Sequence, residues 1–162
     1  MKFEIFKYES VTSTNDVAID LINKSKVEYG CICANNQTKG RGTHGKEWIS
    51  KRGNFFGTVF FPLKKIYPPF NEFSIINPII ISDVIKNLCK KDNINLKFPN
   101  DIFLNKKKIC GILQEVVTFH GKKFLITGIG LNIISSPNIK GKYLATNILL
   151  QTKKKPKIEK IM

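Results

Sequence analysis

Arginine is nearly missing from this chain: of its 27 basic residues only Arg41 and Arg52 are arginines. Acids number 12 and histidines 2, and the formal net charge is +15. A clustered basic face would suit a phosphate polymer. Here the lysines fall in short groups, such as Lys64-Lys65, Lys90-Lys91 and Lys122-Lys123, where turns are expected. Isoleucine and asparagine are also abundant, which points to codon bias rather than to a ligand. We read the charge as solvated and expect no specific DNA contact.

Long apolar runs are also lacking. No stretch approaches the roughly 20 residues that span a bilayer, and the first six residues hold no signal-peptide core. The expectation is a soluble cytoplasmic protein with no membrane contact. The four cysteines, Cys31, Cys33, Cys89 and Cys110, show no CxxC spacing. We read Cys31-Ile32-Cys33 as an extended run with its thiols on opposite faces, and all four as reduced, partly buried thiols. No metal ligands are identified. His44 has no partner at ligand or base spacing and reads as a solvent-facing loop residue. Ser13 has no evident His/Asp pair, which argues against a hydrolase triad.

The 162 residues, 42% of them hydrophobic, suit one core. One domain is expected over 1–150, with a basic tail over 151–162. Alternation predicts a strand over 3–8, and the polar turn 10–14 offers N-caps for a helix over about 15–24. Strands follow over 31–35 and over 54–61, the latter stopping before Pro62. Apolar residues at Ile80, Val84 and Leu88 predict a helix over about 78–91, with Asn77 as N-cap and Pro78 at the first helical position. A further helical piece, kinked by Pro78, is expected over 71–76. β-like runs come next: 96–98 continuing past 99–101 into 102–104, then 109–119 and 123–133. Turns over 105–108 and at His120-Gly121 join them as hairpins. A short helix over 144–150 closes the series. Early alternation of strands and helices followed by hairpins predicts an α+β fold, with a mixed, largely antiparallel sheet and helices packed on one face.

Chemistry concentrates in four segments. Gly40-Arg41-Gly42-Thr43-His44-Gly45-Lys46-Glu47-Trp48 joins bare backbone amides, cations and an aromatic ring, parts that can enclose an anion. Too polar to pack a core, it reads as a mobile surface loop. It has neither P-loop nor dinucleotide-fingerprint spacing. Lys97-Phe98-Pro99-Asn100-Asp101 places a cation and two polar side chains about a turn. Lys108-Ile109-Cys110-Gly111-Ile112-Leu113 brings a cation before a strand glycine, and Gly128-Ile129-Gly130-Leu131-Asn132 thins a second strand. Paired glycine-thinned strands read as room for a flat ligand.

Together with Ser13-Thr14-Asn15 and the glutamate of KxxGILxE, these segments in this order resemble the catalytic domain of the biotin–protein ligases, over about 10–147. The resemblance implies a fold related to class II aminoacyl-tRNA synthetases. It implies ATP and Mg²⁺ as cofactors, biotin as substrate, and a biotin carboxyl carrier domain as acceptor. Ser13, Thr14, Asn15 and Gln37 would line the biotin pocket, a ureido ring needing both donors and acceptors. Gly40, Arg41, Gly42 and Thr43 would lie in the loop that closes over biotin and the activated phosphate, and Gly111 on the biotin side. Lys108 would sit between carboxylate and α-phosphate; with Arg41 and Lys97 it forms the expected catalytic set. Trp48, Lys97, Asn100, Asp101, Gly128, Gly130 and Asn132 would serve ATP.

The family loop usually has arginine where Thr43 stands, which implies weaker retention of biotinyl-AMP. On this resemblance the chain lacks both the N-terminal DNA-binding domain and the C-terminal SH3-like domain of other members. A lipoate ligase on the same fold and a degenerate biotin-binding domain are the rival readings.

Overall fold

A computed structural model of the chain describes residues 2–90, 93–138 and 143–156. Seven strands form one sheet: β1 (Glu4–Tyr8), β2 (Gly30–Ala34), β3 (Phe55–Pro62), β4 (Ile94–Lys97), β5 (Asp101–Leu104), β6 (Lys107–Phe119) and β7 (Lys122–Leu131). Their order is β1-β2-β3-β7-β6-β5-β4. Only β1 and β2 run parallel; every other neighbouring pair is antiparallel. The α+β class with a mostly antiparallel sheet is as expected.

The late hairpins follow from their turn residues. Asn105 and Lys106 carry φ of 51° and 60°, and His120 and Gly121 carry 46° and 75°. Two consecutive left-handed residues suit the right-handed twist of the strands they join. β6 and β7 then pair continuously from Cys110↔Leu131 to Phe119↔Lys122.

Helices α1 (Thr14–Ser25) and α2 (Phe73–Cys89) cover opposite faces of the sheet, which corrects the expectation of helices on one face. Ala18 and Ile22 of α1 pack on Ile32, Phe60 and Ile126. Ile85 and Cys89 of α2 pack on Cys33, Phe55, Ile112 and Leu131. Ile32 and Cys33 are sequence neighbours, and a pleated strand sends neighbours to opposite sides. Each face therefore supplies one half of the apolar core. α1 lies over β2, β3 and the adjoining stretches of β7 and β6, leaving the part of its face around Gly111–Leu113 and Gly128–Asn132 for other groups.

Three local expectations are corrected. Asn77 caps nothing and Pro78 lies inside α2, because the helix begins at Phe73. An interior proline costs about 3 kcal/mol. The apolar face of Ile81, Ile85, Leu88 and Cys89 holds the turn in place nonetheless. Asn77 instead donates to Gln114 and Thr127 across the sheet, at 2.7 and 3.1 Å. The last helix, α3, spans Ile148–Thr152 rather than 144–150, with Asn147 capping Leu150 N at 2.8 Å. It carries ordered chain past residue 150; Lys91 and the end of the expected tail, 157–162, lie outside the described residues. Pairing of β3 also runs one residue further than expected, to Pro62↔Phe124.

Cys31 and Cys33 share one face rather than opposing ones, since residues two apart on a strand point the same way. A hydrogen bond from Cys33 lowers the Cys31 thiol to about 7, while Cys33 is raised. Burial pushes Cys89 up to about 11 and raises Cys110 as well. The thiolate is the nucleophile. At pH 7.5, iodoacetamide is therefore expected to label Cys31 well before Cys89 or Cys110, as peptide mass spectrometry would show. Equal labelling of all three would contradict the shared-face hydrogen bond.

Among the described residues no helix is long and apolar enough to cross a membrane.

Candidate active site

The open part of the α1 face holds a cavity of about 650 Å³. Every residue to which the resemblance assigns a catalytic, biotin or ATP role lines it except Gly40 and Lys97. The N-terminus of α1 forms one end. Ser13 is the N-cap by position but makes no capping hydrogen bond with its side chain, and it is buried among the cavity residues. Gln37 does the capping from 23 residues away: its Oε1 accepts from Thr14 N at 2.9 Å and from Thr14 Oγ1 at 3.1 Å. Asn15 is gripped from two sides. Its Oδ1 accepts from Thr58 Oγ1 at 2.7 Å and its Nδ2 donates to Glu115 at 2.7 Å. Gly128 lies beneath it because a Cβ there would come within 2.3 Å of Asn15 Oδ1.

The loop 40–48 is more ordered in its bonding than the sequence suggested. Gly42 N donates to Lys46 O at 2.7 Å and Trp48 N to Gly40 O at 2.8 Å, so the segment folds back on itself as a narrow hairpin. A Cβ on Gly40 would meet Trp48 O at 2.5 Å, so Gly40 works beneath the loop rather than in the cavity wall. His44 is exposed, with φ of 55°. Gly111 and Gly130, partners across β6 and β7, form the seat for the Trp48 indole. A Cβ on either would strike the ring at 2.5 or 2.3 Å. The flat group that these glycines admit is thus the protein's own tryptophan, which corrects the reading of that space as free for a ligand.

At the other end, Lys108 Nζ lies 2.6 Å from Asp101 Oδ1 and 5.4 Å from the centre of the Trp48 ring. Its backbone is pinned on both sides, with Lys108 N donating to Leu144 O at 2.9 Å and Thr146 N to Lys108 O at 2.8 Å. Asn100 Nδ2 donates to Thr43 Oγ1 at 3.2 Å, tying the loop to the KFPND turn. Lys97 turns aside: its ammonium rests 3.1 Å from the centre of the Tyr143 ring. Tyr143 lines the cavity and Lys97 does not.

Arg41 Nη1 and Nη2 each lie 2.7 Å from Glu115, and Nη2 is 2.8 Å from Asp16. The Glu115 hydrogen bond is the largest cause of the raised pKa of this guanidinium. Trp48 Nε1, Arg41 Nε and Asn132 Oδ1 are buried without a hydrogen-bond partner. Unmet groups of this kind cost about 1–3 kcal/mol each, which a polar ligand would offset.

The model of the biotin/lipoate A/B protein ligase family matches residues 8–133. The chain belongs to that family. Similar proteins include the bifunctional ligase/repressor BirA of Escherichia coli, 31% identical over 125 residues, and biotin–protein ligase 2 of Arabidopsis thaliana, 30% identical over 132. Each alignment covers 76% of this chain but only 38% of the relative, so the chain spans well under half of their length. Among solved structures, the biotin protein ligase of Leishmania major in complex with biotin superposes with a TM-score of 0.87 at 28% identity, over 99% of this chain and 70% of that one. The Aquifex aeolicus biotin protein ligase in complex with biotin and ATP gives 0.79 at 26%, over 98% and 65%.

Sequence reasoning missed three residues of this ligase-family site. Glu115 closes the KxxGILxE motif, and period-two alternation from Gly111 through Leu113 places it on the same sheet face as the cavity residues. Asp16 and Thr58 carry no such signal. One is an ordinary first-turn acid of a helix, and the other acts only because β3 brings it beneath α1.

Proposed function

We propose that this chain is the adenylating domain of a biotin–protein ligase, acting in the cytoplasm, with the catalytic domain expected over 1–150 running on through α3 to Thr152 before the basic tail. The observation that carries this reading is the joining, in one cavity, of the Ser13-Thr14-Asn15-Gln37 cluster with Arg41 and the Lys108–Asp101 pair. The cavity is of ordinary size for a small-molecule site.

In the proposed first step a biotin carboxylate oxygen attacks the ATP α-phosphorus. The bond to the departing pyrophosphate breaks, and biotinyl-5′-AMP forms. Lys108 holds the two anions together and meets the charge that grows between them; Arg41 steadies the product from the loop. Lys97, released from Tyr143, serves the phosphates, and Asn100, Asn132 and Trp48 border the nucleotide. In the second step an amine of the carrier-domain lysine attacks the acyl carbon, AMP leaves with the bonding electrons, and the amine proton passes to solvent. Asp101 and the unpartnered Asn132 Oδ1 suit Mg²⁺, which takes few protein oxygens beside substrate phosphates. Mg²⁺ bound there would supply neutralisation of phosphate charge.

Thermal shift with biotin, MgATP and both together tests the proposal, followed by mass spectrometry of the products. A larger shift with both and a biotinyl-AMP peak is expected. Stabilisation by lipoate and not by biotin would favour the lipoate branch of the family; a biotin shift without product would favour a binding domain alone.

Thr43 sets a further expectation. Arginine at this position would add a cation beside the acyl phosphate, so Thr43→Arg should release biotinyl-AMP more slowly than the parent chain. Equal release rates in a filter-trapping assay would refute this.

A further inference from the structure

Glu115 plays no part in the reaction as drawn, yet it joins three pieces of the site. Its Oε1 lies 2.7 Å from Arg41 Nη1, and its Oε2 accepts from Arg41 Nη2 and from Asn15 Nδ2, both at 2.7 Å. Asn15 Oδ1 in turn accepts from Thr58 Oγ1 at 2.7 Å, and Thr58 is fully buried. Arg41 Nη2 also reaches Asp16, the residue after Asn15, at 2.8 Å. A bonded path thus runs from β3 through α1 and β6 to the glycine loop and back to α1.

We infer that Glu115 is a positioning residue that fixes the Arg41 loop against Asn15, so that the loop and the ureido end of the biotin pocket are set together. The biotin half of this inference rests on the function proposed above. A forked guanidinium–carboxylate pair has two parallel hydrogen bonds and so sets orientation as well as distance. The Glu115 side chain is 26% exposed and that of Arg41 36%, so the pair is partly sheltered from water and salt. Asn15 depends on it too. Without Glu115, its Nδ2 keeps only a 3.4 Å contact with Leu113 O. Only the Thr58 hydroxyl, on the other end of the amide, then sets which end donates and which accepts.

Two substitutions separate the two ties. In Glu115→Gln the side-chain oxygen can still accept from Asn15, but an amide NH₂ then faces the guanidinium. In Glu115→Ala both ties are lost. Hydrogen exchange of the ligand-free chain is the direct readout, because Gly42 N and Trp48 N are hydrogen-bonded within the loop. Loss of a hydrogen bond to a charged group predicts loop amides exchanging about tenfold faster in both variants, with β6 and β7 amides unchanged. The same magnitude predicts a biotin Kd about tenfold weaker in Glu115→Ala, while Glu115→Gln stays within about threefold of the parent. Unchanged loop exchange would overturn the inference. So would loop and sheet exchanging faster together, or equal loss of biotin affinity in both variants, since ordinary packing would act that way. If the parent chain bound no biotin, the ligase proposal would fall, and the exchange measurement would still decide whether Glu115 anchors the loop.

Discussion

Lys108→Met should lower the rate of biotinyl-AMP formation by about 10²–10³-fold, the usual effect of removing one charge aimed at a developing anion. Methionine keeps much of the apolar stem that lies beside Trp48 and removes only the ammonium. The β6 pairing should survive, because the Lys108 backbone is held by residues 144 and 146 through main-chain bonds, but Asp101, 16% exposed, loses its ion-pair partner and stability should fall by about 1–3 kcal/mol. Biotin affinity should fall less than the rate, since the ureido end of the pocket is proposed to lie at the N-terminus of α1. Single-turnover formation of biotinyl-AMP at saturating biotin and MgATP, with a melting curve beside it, checks the split. A rate within about threefold of the parent would move the phosphate-bridging role away from Lys108.

Gly128→Ala is expected to be strongly destabilising. The new Cβ would lie 2.3 Å from Asn15 Oδ1 and 3.0 Å from Asn15 Cγ. Asn15 cannot step aside cheaply, because Thr58 and Glu115 hold its amide at both ends and α1 holds its backbone. Overpacking costs about 1–3 kcal/mol, and leaving the buried Thr58 hydroxyl without its acceptor adds about as much again. Denaturant unfolding should show a loss of about 2–5 kcal/mol. The parallel change Gly121→Ala meets nothing within 4 Å and strains only a φ of +75°, so it should cost about 1 kcal/mol. If Gly128→Ala proved no worse than Gly121→Ala, the rigid grip on Asn15 would be disproved.

The parts of this molecule that were legible in its residues are those decided locally. Asn105-Lys106 and His120-Gly121 tolerate consecutive left-handed conformations, so the late hairpins could be read directly. The order of the five motifs carried the family without any knowledge of contacts. Pro78 shows where local reading fails. A proline after an asparagine looks like a helix start, but burial of Ile81, Ile85 and Leu88 on the sheet outweighs its local cost and extends the helix through it. Cys31 and Cys33 differ from expectation for another reason: the strand period of two puts them side by side on one face.

Lys97 was expected at the phosphates by resemblance, and the fold rests it on Tyr143, a residue 46 positions away that no local pattern connects with it. Glu115 and Thr58 likewise gain their roles only from neighbours brought in by β6, β3 and α1. The sequence by itself determined the α+β class, the hairpin meander, the family and most of the cavity wall, because turn chemistry, periodicity and ordered motifs are short-range properties. Tertiary structure alone decided which helix covers which face, that Trp48 lies across Gly111 and Gly130, and that one carboxylate ties Arg41 to Asn15. These depend on contacts between residues up to 100 positions apart, which packing selects and local sequence does not encode.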